Sequence, residues 1–147
     1  MKLKDVMTRE VEIVEPDATL KEVSQRMKAL DIGVLPVCEN DRVIGLITDR
    51  DITVRAIAEG RNPSTTKASE IMSQDLICGF EEQDVKEAAS IMEERQIRRM
   101  PVLDRNQHIV GIVSLGDLAV KTRDEKLAGK TLEGISEPAH PSYGKGP

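Results

Sequence analysis

Thr48-Asp49-Arg50-Asp51 places a hydroxyl, two carboxylates and a guanidinium directly after the apolar run "GLI". Four roles suit such a set: an acid/base pair, a metal site, a helix cap, or a grip on a ligand carrying phosphate and ribose. Acid/base catalysis needs two carboxylates aimed at one substrate from supported positions, with their pKa values pushed apart. Residues two apart at a strand-to-helix turn point in different directions. A divalent cation held by Asp49 and Asp51 alone would lack most of its roughly six to eight oxygen ligands. The grip is chemically simpler. A hydroxyl and the free N–H groups of a helix start receive phosphate, and a carboxylate three residues later accepts from both hydroxyls of a ribose, as the acidic residue of dinucleotide-binding folds does. Plain N-capping competes with it, since Thr and Asp cap helices widely.

An internal repeat separates these roles. "DVMTREVEIVEPDATLKEVSQRMKALDIGVLPVCENDRVIGLITDRDI" lies over "EIMSQDLICGFEEQDVKEAASIMEERQIRRMPVLDRNQHIVGIVSLGDL". Met7 and Met72, Met27 and Met92, and Pro36 and Pro101 are each 65 positions apart; after the prolines the offset becomes 66, matching Gly45 with Gly111 and Asp51 with Asp117. One residue has been inserted in the intervening loop, where insertions are tolerated. The second copy keeps a hydroxyl residue and the last carboxylate, Ser114 and Asp117, but replaces Asp49 and Arg50 by Leu115 and Gly116. The constant pair is therefore Thr48/Asp51 and Ser114/Asp117. No G-x-S-x-G, paired histidine or P-loop accompanies it, so the sequence reads as non-enzymatic, with no catalytic and no metal-ligating residue assigned.

The elements that must hold these pairs repeat as well. "VEIV" (11–14) and "LICGF" (76–80) are strand candidates. Thr19 with Glu22 forms a capping box, and Asp84 with Glu87 a looser one. Leu20, Val23, Met27 and Leu30 recur at helical spacing, as do Val85, Ala88 and Met92. "GVLPVCENDRVIGLIT" and "MPVLDRNQHIVGIVS" read as hairpins, with Pro36 and Pro101 at a strand start or edge. A helix follows Asp51 and ends at Gly60. The unit is β-α-β-β-α, twice. Two copies are too few for a solenoid, and are expected to pack face to face about a pseudo-two-fold axis.

With 147 residues the chain buries a core without a disulfide or metal staple. The net charge of −5 disfavours a nucleic-acid partner, and Phe80 and Tyr143 are the only aromatics from which a base-stacking platform could be built. Cys38 and Cys78 make no CxxC, and two histidines are too few for a zinc signature. The charged start lacks the apolar centre of a signal peptide, and no apolar run spans a membrane. The reading is a cytoplasmic protein.

The doubled unit, with "VMT" or "IMS" at its start, "GVLPV" or "RRMPV" before the hairpin and "GLITDRDI" or "GIVSLGDL" at its end, resembles a pair of CBS domains, the Bateman module, over about residues 3–122. It is similar to small stand-alone bacterial pairs. The resemblance implies an α/β (α+β) fold of two β-α-β-β-α CBS motifs, at 1–59 and 67–124, with a linker at 60–66. A polar tail, 125–147, follows and is expected to be partly disordered. It also implies a regulatory sensor that does no chemistry and binds AMP, ADP, ATP, NAD or S-adenosylmethionine in clefts between the motifs. No cofactor is required, a Mg2+ bridging ligand phosphates is left open, and a homodimer acting on an unidentified protein target is expected.

The family's phosphate and ribose residues carry over directly onto Thr48, Asp51, Ser114 and Asp117. Arg98 and Arg99 precede a cleft-facing strand, where family members place cations to reach phosphate; Arg is well shaped for this. The first half has Gly33 and Val34 there, so the clefts are unlike. Arg50 is a candidate for a further phosphate contact or for pairing with a carboxylate. The adenine slot is aliphatic, drawn from Ile32, Gly33, Val34, Ile77 and Ile97, with backbone near Glu12 and Asp75 reading the base. In the family each cleft takes its Ser/Thr-x-x-Asp from one half and much of its base slot from the other. The alternative is a protein-interaction or oligomerisation module with vestigial clefts.

Overall fold

Helix α2 spans Leu20–Leu30. Leu20, Val23 and Met27 recur on one face and are buried, and Thr19 Oγ1 accepts from the Glu22 amide at 3.2 Å. Asp31, in the left-handed conformation at φ 53°, ends it. Leu30 is exposed, so the buried stripe stops a turn short of the expected one. Its counterpart α5, Val85–Arg95, starts where Asp84 accepts from the Lys86 amide at 2.8 Å and ends at Gln96, φ 56°.

These features belong to a computed structural model that describes residues 1–122 and 124–137. Strands β1, Val34–Glu39, and β2, Arg42–Thr48, form an antiparallel hairpin in which Val34 faces Thr48. Its two loop residues, Asn40 and Asp41, both have positive φ, as a tight hairpin turn demands. In the second copy, β3, Gly79–Phe80, pairs in parallel with β4, Arg99–Leu103, and β5, Ile109–Ser114, lies on β4's other edge.

The expected strand at 11–14 is reduced to one parallel bridge between Val14 and Val37. Pro16, two residues on, cannot donate to a longer ladder. That bridge uses the Pro36 carbonyl and the Cys38 amide, both at 2.9 Å, so it never requires the N–H that Pro36 lacks.

After β2 the chain turns directly into α3, Asp49–Asp51, then a π-helical stretch over Ile52–Ile57, with Gly60 at φ 74° beyond it. The matching helix α6, Leu115–Lys121, is α-helical. Short helices α1, Leu3–Val6, and α4, Ala68–Ile71, open the two copies.

The region expected to be a polar, partly disordered tail begins with a helix, α7, Glu125–Ser136. Asp124 Oδ1 caps it at the Leu127 amide, 2.9 Å. Leu127, Thr131 and Ile135 recur every four residues: Leu127 and Ile135 pack on the adjacent core, and Thr131 is buried. Scattered polar residues hid this stripe in the sequence. The rest of the tail expectation, 138–147, lies outside the described residues.

The chain forms two compact units that cut across the sequence halves. The Thr48 unit comprises Glu10–Ile77 and Asn106–Ile109; the Ser114 unit comprises Met1–Arg9, Cys78–Arg105 and the described residues from Val110 on. The first has a core around Leu20, Val23, Leu35, Val37, Ile47 and Ile71. The second is built around Leu3, Val6, Met92, Met100, Val102 and Leu118. Each copy thus lends its opening segment to the unit holding the other copy's helix pair. In the Thr48 unit, Ser73 exchanges backbone hydrogen bonds with Leu46 at 2.8 and 3.0 Å; in the Ser114 unit, Thr8 does so with Ile112 at 2.8 and 3.0 Å.

Candidate ligand grips

Each Ser/Thr-x-x-Asp sits at a strand-to-helix corner. Thr48 is the last residue of β2; its Oγ1 accepts from the Asp51 amide at 3.0 Å, while the Thr48 amide donates to Asp51 Oδ2 at 2.9 Å. Ser114 and Asp117 repeat this reciprocal box at 3.0 and 2.9 Å. Capping is therefore one real role of these residues. It does not exhaust them: a carboxylate has about four lone-pair sites, and each box uses Oδ2. All four residues are half-buried, accessible at a corner rather than sealed in a core.

In the Thr48 unit several expected residues meet. The Gly33 carbonyl accepts from the Asp49 amide at 3.0 Å, and Val34 pairs with Thr48. Asp75 and Ile77 follow Ser73, which is pinned to Leu46 beside this corner; Asp75 is exposed and Ile77 half-buried. Arg50 is exposed, and its amide donates to Asp49 Oδ1 at 2.9 Å. Ile32 is exposed. The Glu12 carboxylate accepts from Arg26 at 2.5 Å, and both residues line a cavity of about 900 Å³ along 11–18 and α2; this side-chain pair leaves the expected backbone role of the Glu12 region untouched.

In the Ser114 unit the Arg98 carbonyl accepts from the Leu115 amide at 2.8 Å, the counterpart of the Gly33–Asp49 link. Arg98 and Arg99 are exposed, with Arg99 opening β4 beside β5. Ile97 is half-buried against the unit's core.

Sequence reasoning missed one repeated feature. Four residues after each grip aspartate stands a cation, Arg55 or Lys121, bound to the carbonyl of an exchanged segment. Lys121 Nζ donates to the Val6 carbonyl at 2.8 Å and lies 3.6 Å from Asp117 Oδ1. Arg55 donates to the Met72 carbonyl at 3.4 Å. The signal was present as Asp-x-x-x-Arg/Lys in both copies, an i,i+4 pairing. Burial, with Asp41 adding to it, pushes the Cys38 thiol up to about 11, and burial raises Cys78 as well, which disfavours the thiolate at both.

Among the described residues no helix is long and apolar enough to cross a membrane. Nor does any group of three or more His, Cys, Asp or Glu gather there to hold a metal ion.

The CBS domain model matches residues 3–56 and 68–122. The CBS domain-containing protein YhcV of Bacillus subtilis is 42% identical over 134 residues, 91% of this chain and 94% of that protein. A crystal structure of Hypoxic Response Protein I with two coordinated zinc ions is 36% identical with TM-score 0.74, covering 81% of this chain and 97% of that one. The CBS domain pair of protein MJ0100, crystallised in complex with 5′-methylthioadenosine and S-adenosyl-L-methionine, is 25% identical with TM-score 0.70, covering 84% and 96%. The repeat and the α+β architecture agree with these matches, and the chain belongs to the CBS-domain family, as a tandem pair.

Proposed function

We propose that this chain is a non-enzymatic regulatory module that binds adenosine-containing ligands at its two Ser/Thr-x-x-Asp corners. The observation that carries the reading is the recurrence of one reciprocal geometry at Thr48/Asp51 and Ser114/Asp117, each leaving an aspartate oxygen, Oδ1, outside the box. In this reading Asp51 and Asp117 accept from ribose hydroxyls, while Thr48 and Ser114 face the 5′ substituent of the ligand. Gly33, Val34 and Ile77 contribute an aliphatic seat for adenine in the Thr48 unit, and Ile97 does so in the Ser114 unit. Arg98 and Arg99 supply phosphate contacts. The complex of the MJ0100 pair with two adenosine compounds supports this ligand class. Binding would shift a conformational equilibrium by no more than the ligand's differential affinity for the two states, and a protein target would read that shift.

Titration calorimetry of the full chain with AMP, ATP, NAD and S-adenosylmethionine tests the proposal. Binding of at least one is expected, with Asp117→Ala weakening a ribose-containing ligand far more than free adenine. Absence of binding to every compound at millimolar concentration would overturn it.

One observation favours a second reading, an assembly module. Val54 and Ile57 are exposed on the π-helical stretch, and Ile57 lines an apolar recess of about 420 Å³ with Ile52, Pro63 and α2 residues. A homodimer through this face would bury them. A stable oligomer whose protein binding ignores nucleotide would favour this reading over the first.

A further inference from the structure

The two corners are built alike and charged differently. Beside Ser114 and Asp117, the Ser114 unit carries Arg98, Arg99 and Lys121, three cations against the one carboxylate of Asp117. The matched positions beside Thr48 and Asp51 carry Gly33, Val34 and Arg55. The helix there adds Asp49 and Arg50 where the other has Leu115 and Gly116, so two cations meet two carboxylates.

Asp49 gives this difference a location. Its amide bonds to the Gly33 carbonyl just as the Leu115 amide bonds to the Arg98 carbonyl, so the backbone link is common to both corners. A methyl group added at Gly33 would lie 2.9 Å from Asp49 Oδ2 and 3.2 Å from its Cγ. The Asp49 carboxylate therefore occupies the space into which a side chain at position 33 would leave the backbone. At the matched position the Ser114 unit carries a guanidinium, and it sets Leu115 where Asp49 stands. One corner offers a phosphate a planar fork of donors; the other confronts it with a second carboxylate, which repels it most where water is displaced. Both corners share the helix start, so the helix ends do not distinguish them.

We infer that the two corners sort adenosine ligands by charge, with Asp49 as the specificity-determining residue that turns phosphate away from Thr48 and Asp51. The Thr48 corner takes adenosine compounds whose 5′ substituent is uncharged or cationic, and the Ser114 corner takes those bearing 5′ phosphate. The inference rests on the reading in which these corners hold adenosine ligands.

The test is calorimetry of the full chain with adenosine, 5′-methylthioadenosine and AMP, at low and high salt. Asp117→Ala is expected to abolish AMP binding and spare methylthioadenosine, and Asp51→Ala to do the reverse. Asp49→Asn, nearly isosteric, and the transplant Gly33→Arg/Asp49→Leu, made in an Asp117→Ala background, are expected to give the Thr48 corner AMP binding. The transplant should gain about tenfold or more in affinity, the scale of one charge-assisted contact, and the gain should shrink with salt. If AMP binding survives Asp117→Ala and is lost in Asp51→Ala, the sorting is overturned. If Asp49→Asn leaves AMP affinity in the Asp117→Ala background unchanged, Asp49 is not its cause, and Asp49→Asn decides this even where the transplant fails to fold. Failure of every compound to bind the unaltered chain would instead overturn the ligand reading itself; binding without sorting overturns this inference alone.

Discussion

Lys121 and Val6 are joined by a hydrogen bond of 2.8 Å from the lysine Nζ to the valine carbonyl. The bond ties α6, which carries Asp117, to the opening segment of the chain. Lys121 is partly exposed, but Val6 is fully buried, so removing the lysine strips its carbonyl of this partner. Lys121→Met is expected to lower stability by about 1 kcal/mol, the net worth of such a bond. Arg55→Met, which loses a longer contact of 3.4 Å, should cost less. Urea midpoints of the two variants check the order; equal losses would mean the short bond carries no special weight.

A second prediction concerns two glycines that receive the exchanged segments. A methyl at Gly111 would lie 2.6 Å from Met7 Sδ and 2.9 Å from the Thr8 carbonyl oxygen. One at Gly45 would meet Met72 Sδ and lie 3.0 Å from the Ser73 carbonyl oxygen. The methionine is flexible, but the backbone carbonyl, held by the ladder, is not. Gly111→Ala and Gly45→Ala should each cost about 1–3 kcal/mol, the usual range for overpacking. Pairing Gly111→Ala with Met7→Ala should recover none of the loss due to the carbonyl. Denaturation midpoints that do not move would show that the segment slides away freely.

This pairing also marks where the sequence stops being legible. Local rules identified α2 and α5, both hairpins and the capping residues Thr19, Thr48, Asp84 and Ser114, because each is decided by neighbours within one helix turn or one strand pair. The repeat exposed Thr48/Asp51 and Ser114/Asp117 for the same reason. The exchange of opening segments was not legible from spacing, since Met7 meets Gly111 and Met72 meets Gly45 only through tertiary packing. The position of the Asp49 carboxylate over Gly33 was not legible either, since it too arises only from tertiary packing. The strand at 11–14 was overread because alternation there is real while the ladder partner is limited to Val37.

Helix α7 supplies a third prediction. Leu127 is half-buried and packs on the Ser114 unit's core, whereas Leu132, on the same helix, is 44% exposed. Leu127→Ala should cost about 2 kcal/mol, the low end for a leucine truncation because the site is not fully enclosed. Leu132→Ala should stay within about 0.5 kcal/mol of zero. Chemical denaturation of the two variants measures the contrast, and its reversal would mean that α7 presents its other face to the unit.

The last prediction is a pH dependence at the N-terminus. Glu82 accepts from Lys2 Nζ at 2.6 Å and from Lys4 Nζ at 2.9 Å. The hydrogen bond from Lys2, then that from Lys4, holds its carboxyl down at about 2, against an ordinary value of 4.5. A carboxyl whose pKa is lowered by folding contributes stability that is fully present above its unfolded value and is lost as pH falls through the folded one. The contribution of this triad should therefore be complete above about pH 5 and fade between there and about pH 2. Glu82→Gln should lower the thermal midpoint at pH 6, and the difference should have largely faded near pH 2, where the native glutamate is about half protonated. All three side chains are well exposed, so the difference at pH 6 should also shrink in 1 M salt, where the Debye length falls to about 3 Å. A difference between glutamate and glutamine that persists undiminished to pH 2 would place its origin in packing rather than charge.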